Sequence, residues 1–234
     1  DIEKLNLKYL NENKKLNHLS IIKKNNNFLI KSESFDGKSI IKNFFNGDSK
    51  NFFLKRFENL NSEFFLNFDN FFIDDDNYIK KITGNANIKK NIIKNASIIG
   101  KLNGKDELNL NIKTNSNDEK ITKMYIQKPE PFLKNYKFIK GFKEGKLEFN
   151  STEILGVSKS KLKIYNFKVR EVPLLAKVLT LASLQGIADL LTGEGIRFNE
   201  LEMDYVKRDK NNTSINEMYA IGPAISILME GYIV

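Results

Sequence analysis

Strict two-residue alternation is the feature that most constrains this chain. In Glu107-Leu-Asn-Leu-Asn-Ile-Lys113, the apolar Leu108, Leu110 and Ile112 alternate with Asn109, Asn111 and Lys113. A helix would scatter such a pattern around its circumference. A strand puts every second side chain on one face, so only a β-strand separates the two sets. The same period returns at Phe64, Leu66 and Phe68, whose second face (Phe65, Asn67, Asp69) is greasier. It returns again at Leu162 and Ile164, at Leu201, Met203 and Tyr205, along Ile215, Tyr219 and Ile221, and along Ile225, Ile227 and Met229. Turn-forming residues separate the runs: Asn46-Gly47-Asp48, Asn103-Gly104-Lys105-Asp106, Lys143-Glu144-Gly145 and Asp209-Lys-Asn-Asn212. Short strands joined by such turns predict a mainly β protein, an antiparallel meander.

Three segments depart from the alternation and predict short inserted helices, at about 36–45, 131–139 and 173–191. In the first, Ile40, Ile41, Phe44 and Phe45 are spaced one, three and four apart behind Asp36, an N-cap residue. In the second, Pro131 stands near the first turn. The third runs from Pro173 to a Thr192-Gly193 stop, and its apolar side chains cover most of the circumference. Its length approaches a membrane span, but Lys177, Gln185 and Asp189 interrupt it. A central charge costs about 2.5–3.5 kcal/mol on insertion, so packing against a sheet or a partner is expected instead.

The charge is +9 over 234 residues, carried by 34 Lys and only 4 Arg, with 31 Asn. Residues 171–234 hold five basic and nine acidic side chains, so the excess of positive charge belongs to the first 170. Residues 1–166 thus read as a Lys/Asn-rich β meander and 167–234 as a distinct strand–helix–strand region of one architecture. The Lys/Asn excess fits an AT-rich genome. Scattered lysines and scarce Arg argue against base-specific nucleic-acid contacts, and a solvated surface explains them. Nucleic-acid or anionic-surface binding is the lesser alternative.

Catalytic chemistry finds little footing. The chain has no Cys and a single His, His18, which excludes disulfides, thiolate sites and His clusters. Asp74-Asp75-Asp76 offers carboxylates for a cation, but a solvated turn after Phe71-Phe72-Ile73 accounts for it. Thr192-Gly-Glu-Gly195 lacks the spacing of phosphate-binding loops and follows a helix where such loops precede one. No nucleophile elbow or triad order occurs. The expectation is a non-enzymatic protein with no metal and no cofactor.

The run Val169-Arg-Glu-Val-Pro-Leu-Leu-Ala-Lys-Val-Leu-Thr-Leu-Ala-Ser-Leu-Gln-Gly-Ile-Ala-Asp-Leu-Leu-Thr-Gly-Glu-Gly-Ile-Arg-Phe-Asn-Glu-Leu201 resembles the C-terminal signature of bacterial AsmA-like proteins of the YhdP/TamB type. Ala220-Ile-Gly-Pro-Ala224 and Met229-Glu-Gly-Tyr-Ile233 resemble that family's closing strands, and Phe35-Asp36-Gly37-Lys38 with Ile40-Ile41 resembles its recurring D-G-K-type element. The likeness is concentrated in 167–233 and weaker over 1–166, and the Lys/Asn surface is what an alphaproteobacterial member would show. The resemblance implies a fragment of a longer periplasmic protein anchored in the inner membrane by a segment outside this chain. It also implies a sheet curled into an elongated, taco-like groove that guides phospholipid toward the outer membrane, alongside envelope protein partners.

Alternation and resemblance together nominate the groove side: Leu108, Leu110, Ile112, Leu147, Phe149, Leu162, Ile164, Leu201, Met203 and Tyr205. The third helix would pack on it through Leu174, Leu175, Val178, Leu181, Leu184, Ile187 and Leu191. The alternative is a structural scaffold of the envelope whose apolar face is an ordinary closed core.

Overall fold

The computed structural model describes residues 3–11, 14–45, 59–133, 141–170, 195–209 and 212–233. The protein is mainly β, as the alternation predicts. Its strands are β1 (Lys4–Leu10), β2 (Leu16–Lys24), β3 (Asn27–Asp36), β4 (Ser62–Phe72), β5 (Tyr78–Lys89), β6 (Ile92–Leu102), β7 (Asp106–Thr114), β8 (Lys120–Ile126), β9 (Phe142–Ile154), β10 (Val157–Val169), β11 (Ile196–Asp209), β12 (Asn212–Ile221) and β13 (Ser226–Ile233). Hydrogen-bonded neighbours follow chain order from β1 to β13 in a single, mostly antiparallel sheet. The chain divides into two compact units, 1–122 and 123–234. That division falls between residues of β8. The change in composition near residue 166 falls elsewhere, inside the second unit.

Within the first unit, β3 and β4 are parallel, where the meander predicted antiparallel pairing. A parallel pair needs a crossover. The first predicted helix lies in this connection as α1 (Lys38–Phe45), two residues shorter than expected at its start. Asp36 still guards that start: the Lys38 amide donates to its Oδ1 at 3.1 Å, and the Asn11 side-chain amide donates to its Oδ2 at 2.8 Å. Gly37 is required by close approach. A Cβ there would lie 2.0 Å from the Phe71 ring.

The second helix is described only as α2 (Glu130–Leu133), with Pro131, Phe132 and Leu133 buried, packed on β9. Its predicted continuation to 139, and the whole 173–191 helix with Leu174, Leu175, Val178, Leu181, Leu184, Ile187 and Leu191, lie outside the described residues. Asn46-Gly47-Asp48 lies outside them as well.

Of the predicted turns, Asn103–Asp106 joins β6 to β7 as expected. Lys143-Glu144-Gly145 does not turn the chain. It lies inside β9, with Glu144 and Gly145 at φ 63° and 80° and Asn166 on the facing strand at 51°. The register keeps step from Lys146 opposite Tyr165 to Glu144 opposite Phe167, so Gly145 and Asn166 face each other, but the ladder skips that pair. Residues with positive φ serve an irregularity in a ladder as readily as a turn.

Candidate functional site

Register turns the alternation into continuous rows. In the first unit Leu5, Ile21, Ile30, Leu66, Gly84, Ile98 and Leu110 are successive cross-strand partners from β1 to β7. Beside them run Phe28, Phe64, Ala86, Ala96 and Ile112. Phe28 and Phe64 stack at 5.0 Å with 11° between their planes. Seven strands make this apolar face about 28 Å wide at the usual strand spacing. Most of its side chains, including Leu108, Leu110 and Ile112, are only half-buried, while Asn109, Asn111 and Lys113 on the reverse face are exposed.

In the second unit two parallel rows cross β9 to β13. One is Leu147, Ile164, Leu201, Ala220 and Ile227; the other is Phe149, Leu162, Met203, Met218 and Met229. Seven of the ten nominated residues therefore share this face, since Tyr205 continues it between Ser160 and Ile215. Leu108, Leu110 and Ile112 belong to the first unit's face. The first row is closed from Leu147 to Ala220, with Ile164 0% exposed, whereas Phe149, Leu162, Met203, Met218 and Tyr205 are half-buried and Met229 is exposed. A polar step follows, where the Ser160 hydroxyl donates to Ser151 at 2.9 Å.

The closed end is built on aromatic stacking. Phe167 lies between Phe142 and Phe198 at 5.4 and 5.2 Å, with interplanar angles of 14° and 16°. Three of the chain's four methionines share one row. Unbranched thioether chains adapt to irregular apolar shapes. Met218 escaped the sequence reading, which placed Tyr219 and Ile221 with Ile215. A register shift between Ile215 and Met218 instead puts Met218 and Ala220 on the apolar face. Tyr219 turns to the reverse face, where its hydroxyl donates to Glu202 Oε2 at 3.0 Å.

That reverse face carries a charge cluster. Glu202, only 8% exposed, is paired with both Lys161 and Lys163, and Lys161 also reaches Asp204 at 3.3 Å. Hydrogen bonds from the two lysines hold the Glu202 carboxyl down to about 2. The reciprocal bonds to Glu202 raise the pKa of Lys161 and Lys163, and burial together with the Glu148 charge raises that of Tyr165. Every acid in this cluster has a cationic or hydroxyl partner, and its geometry is that of a cross-strand clamp.

The acidic run behaves as a turn. Asp74 Oδ1 accepts the amides of Asp76 and Asn77, each at 2.8 Å, and Asp75 pairs with Lys38. His18 lies half-buried on β2 opposite Lys8 and Ser34. A hollow of about 600 Å³ opens on the first unit's polar face between Asn85, Asn87, Lys94, Asn95 and Asp118. Its lining has no apolar side chain, and Lys94, bonded to Asp118 at 2.6 Å, holds that carboxyl below the usual carboxylate range. Among the described residues no group of three His, Cys, Asp or Glu side chains could hold a metal ion, and no helix is long and apolar enough to cross a membrane.

The two apolar rows consist of Leu, Ile, Phe, Met, Ala and Gly, with Tyr205 continuing the second unit's face. Such a face can desolvate hydrocarbon. No family model matches the chain, and no curated protein or solved structure matches it.

Proposed function

We propose that this chain binds phospholipid acyl chains on its apolar sheet face and guides them between the inner and outer membranes, without catalysis. The observation that carries this reading is the pair of continuous, partly exposed apolar rows. An acyl chain crossing water loses about 0.8 kcal/mol per exposed CH₂. A row about 28 Å wide exceeds the ~15 Å of hydrocarbon in one leaflet, half the bilayer core. The Met203–Met218–Met229 row adds a surface that adjusts to mobile chains. Passive guidance needs no metal, cofactor or energy-coupling site.

The resemblance of 167–233 to AsmA-like proteins supports the same reading. It adds a periplasmic location within an inner-membrane-anchored protein, and a role in envelope lipid transport. The closed scaffold is favoured by one observation, the fully buried Phe142–Phe167–Phe198 stack with Ile164. Photo-crosslinking separates the two. A photoreactive side chain at Leu110 or Leu162 is expected to capture phospholipid in bacteria expressing the full-length protein, and one at Asn109 is not. Equal labelling at 109 and 110, or no phospholipid in native mass spectra of the purified protein, would overturn the proposal in favour of the scaffold.

A further inference from the structure

The turn joining β9 to β10 differs from the other left-handed positions of the chain. Leu155 and Gly156 occupy it with φ 51° and 81°, and Ile154 pairs with Val157 immediately behind them. Two central residues with positive φ suit Asn-Gly or Asp-Gly. Among the described non-glycine residues with positive φ, the rest are Asn, Asp, Lys or Glu; Leu155 alone is apolar. In a chain with 31 Asn, a leucine in a strained turn is a poor structural choice. It also buries nothing: Leu155 is 97% exposed, Ile154 49% and Val157 36%. A Cβ built on Gly156 meets no atom within 4 Å.

The residues around this tip fit a membrane interface. Register puts Lys207 opposite Ser158 and Asp209 opposite Asn212, so the end of β11 and the start of β12 lie at the same end of the sheet. Lys159 and Arg208 are exposed there, and Tyr232 of β13, 80% exposed, faces Ser214 on β12. Arg208 also donates to Ser214 at 3.1 Å, while Glu153 and Asp209 supply the local negative charge. An apolar point with flanking cations and an amphipathic aromatic matches the layering of acyl chains, phosphates and interfacial water. A protruding turn enters fluid hydrocarbon without needing a shaped pocket. We infer that the Ile154-Leu155-Gly156-Val157 hairpin tip inserts into the surface of an anionic phospholipid membrane and docks this end of the second unit on it.

The chain has no Trp, so Leu155→Trp supplies a single indole. With vesicles of equal parts phosphatidylcholine and phosphatidylglycerol, its emission is expected to shift to the blue and be quenched by brominated acyl chains. Leu155→Asn relieves the backbone strain, so its thermal midpoint should equal or exceed the parent's while vesicle affinity falls about tenfold. Leu162→Asp, on the acyl-chain row, should leave docking intact, so failure of the lipid-guidance reading and failure of tip insertion are separate results. Unshifted emission, unchanged affinity in Leu155→Asn, or equal loss of docking in Leu162→Asp would overturn the inference. So would lipid-free self-association that Leu155→Asn abolishes, which would assign the tip to a second copy.

Discussion

The two units close the same pattern in different ways. In the first, seven strands carry an apolar band most of whose members stay half-buried, with Leu110 and Ile98 facing each other across β6 and β7, and the closed residues, Phe68, Phe71, Ile79, Ile82 and Leu102, lie farther along β4, β5 and β6. In the second, three stacked rings and Ile164 are closed off, and α2 adds Pro131, Phe132 and Leu133 as a second layer on β9. Alternation thus fixes which face is apolar but does not decide whether that face becomes a core. The closed end combines the Phe142–Phe167–Phe198 stack with α2 packed on β9. The open band carries Leu and Ile side chains and one half-buried stack, Phe28 on Phe64.

Truncation should expose this difference most strongly. Phe167→Ala removes the middle ring of the stack and leaves a cavity between Phe142 and Phe198, a loss of about 3–5 kcal/mol. Leu110→Ala, on the half-buried row, should cost about 1 kcal/mol. Urea unfolding checks both, and equal midpoints for the two variants would dissolve the contrast between closed and open faces. Gly84→Ala tests the first unit's band from the opposite direction. A Cβ there would lie 2.3 Å from the Ser97 carbonyl oxygen and 2.9 Å from the Ile98 Cα, backbone atoms that cannot swing away. Overpacking of this kind costs about 1–3 kcal/mol. A Gly84→Ala protein as stable as the parent would mean that the sheet gives easily at β5 and β6.

The sequence made the sheet legible because alternation is a local property. Leu108, Leu110 and Ile112 share a face, and so do Leu147 with Phe149 and Leu201 with Met203. What escaped it is set by partners distant along the chain. Parallel and antiparallel strands alternate identically, so nothing in β3 or β4 announces their parallel pairing; only the intervening helix was a signal. The irregularity at Gly145 and Asn166 was hidden because both residue types also make turns. The shift between Ile215 and Met218 moved Met218 into the apolar row and Tyr219 out of it, and no local pattern specifies a ladder irregularity. The Lys161/Lys163 and Glu202/Asp204 alternations were visible separately. Only the register of β10 against β11 makes them a cluster.

That cluster also gives the smallest contrast between the units, confined to acid. Glu202 has a folded-state pKa of about 2 against a usual value of 4.5. Its carboxylate therefore contributes stability that is fully present above the unfolded value and is lost as pH falls through the folded one. The acids described on the first unit's apolar rows number none, because those rows are Leu, Ile, Phe, Ala and Gly. Between pH 5 and pH 2 the parent should lose urea resistance, and Glu202→Gln should lose less over the same interval while starting lower at neutral pH. Protection of β10 and β11 amides in hydrogen exchange should follow the same titration, with β6 and β7 amides changing less. If β6 and β7 loosen first as the pH falls, the acid sensitivity belongs to the Lys94–Asp118 side of the first unit, and the Glu202 clamp is not what ties β10 to β11.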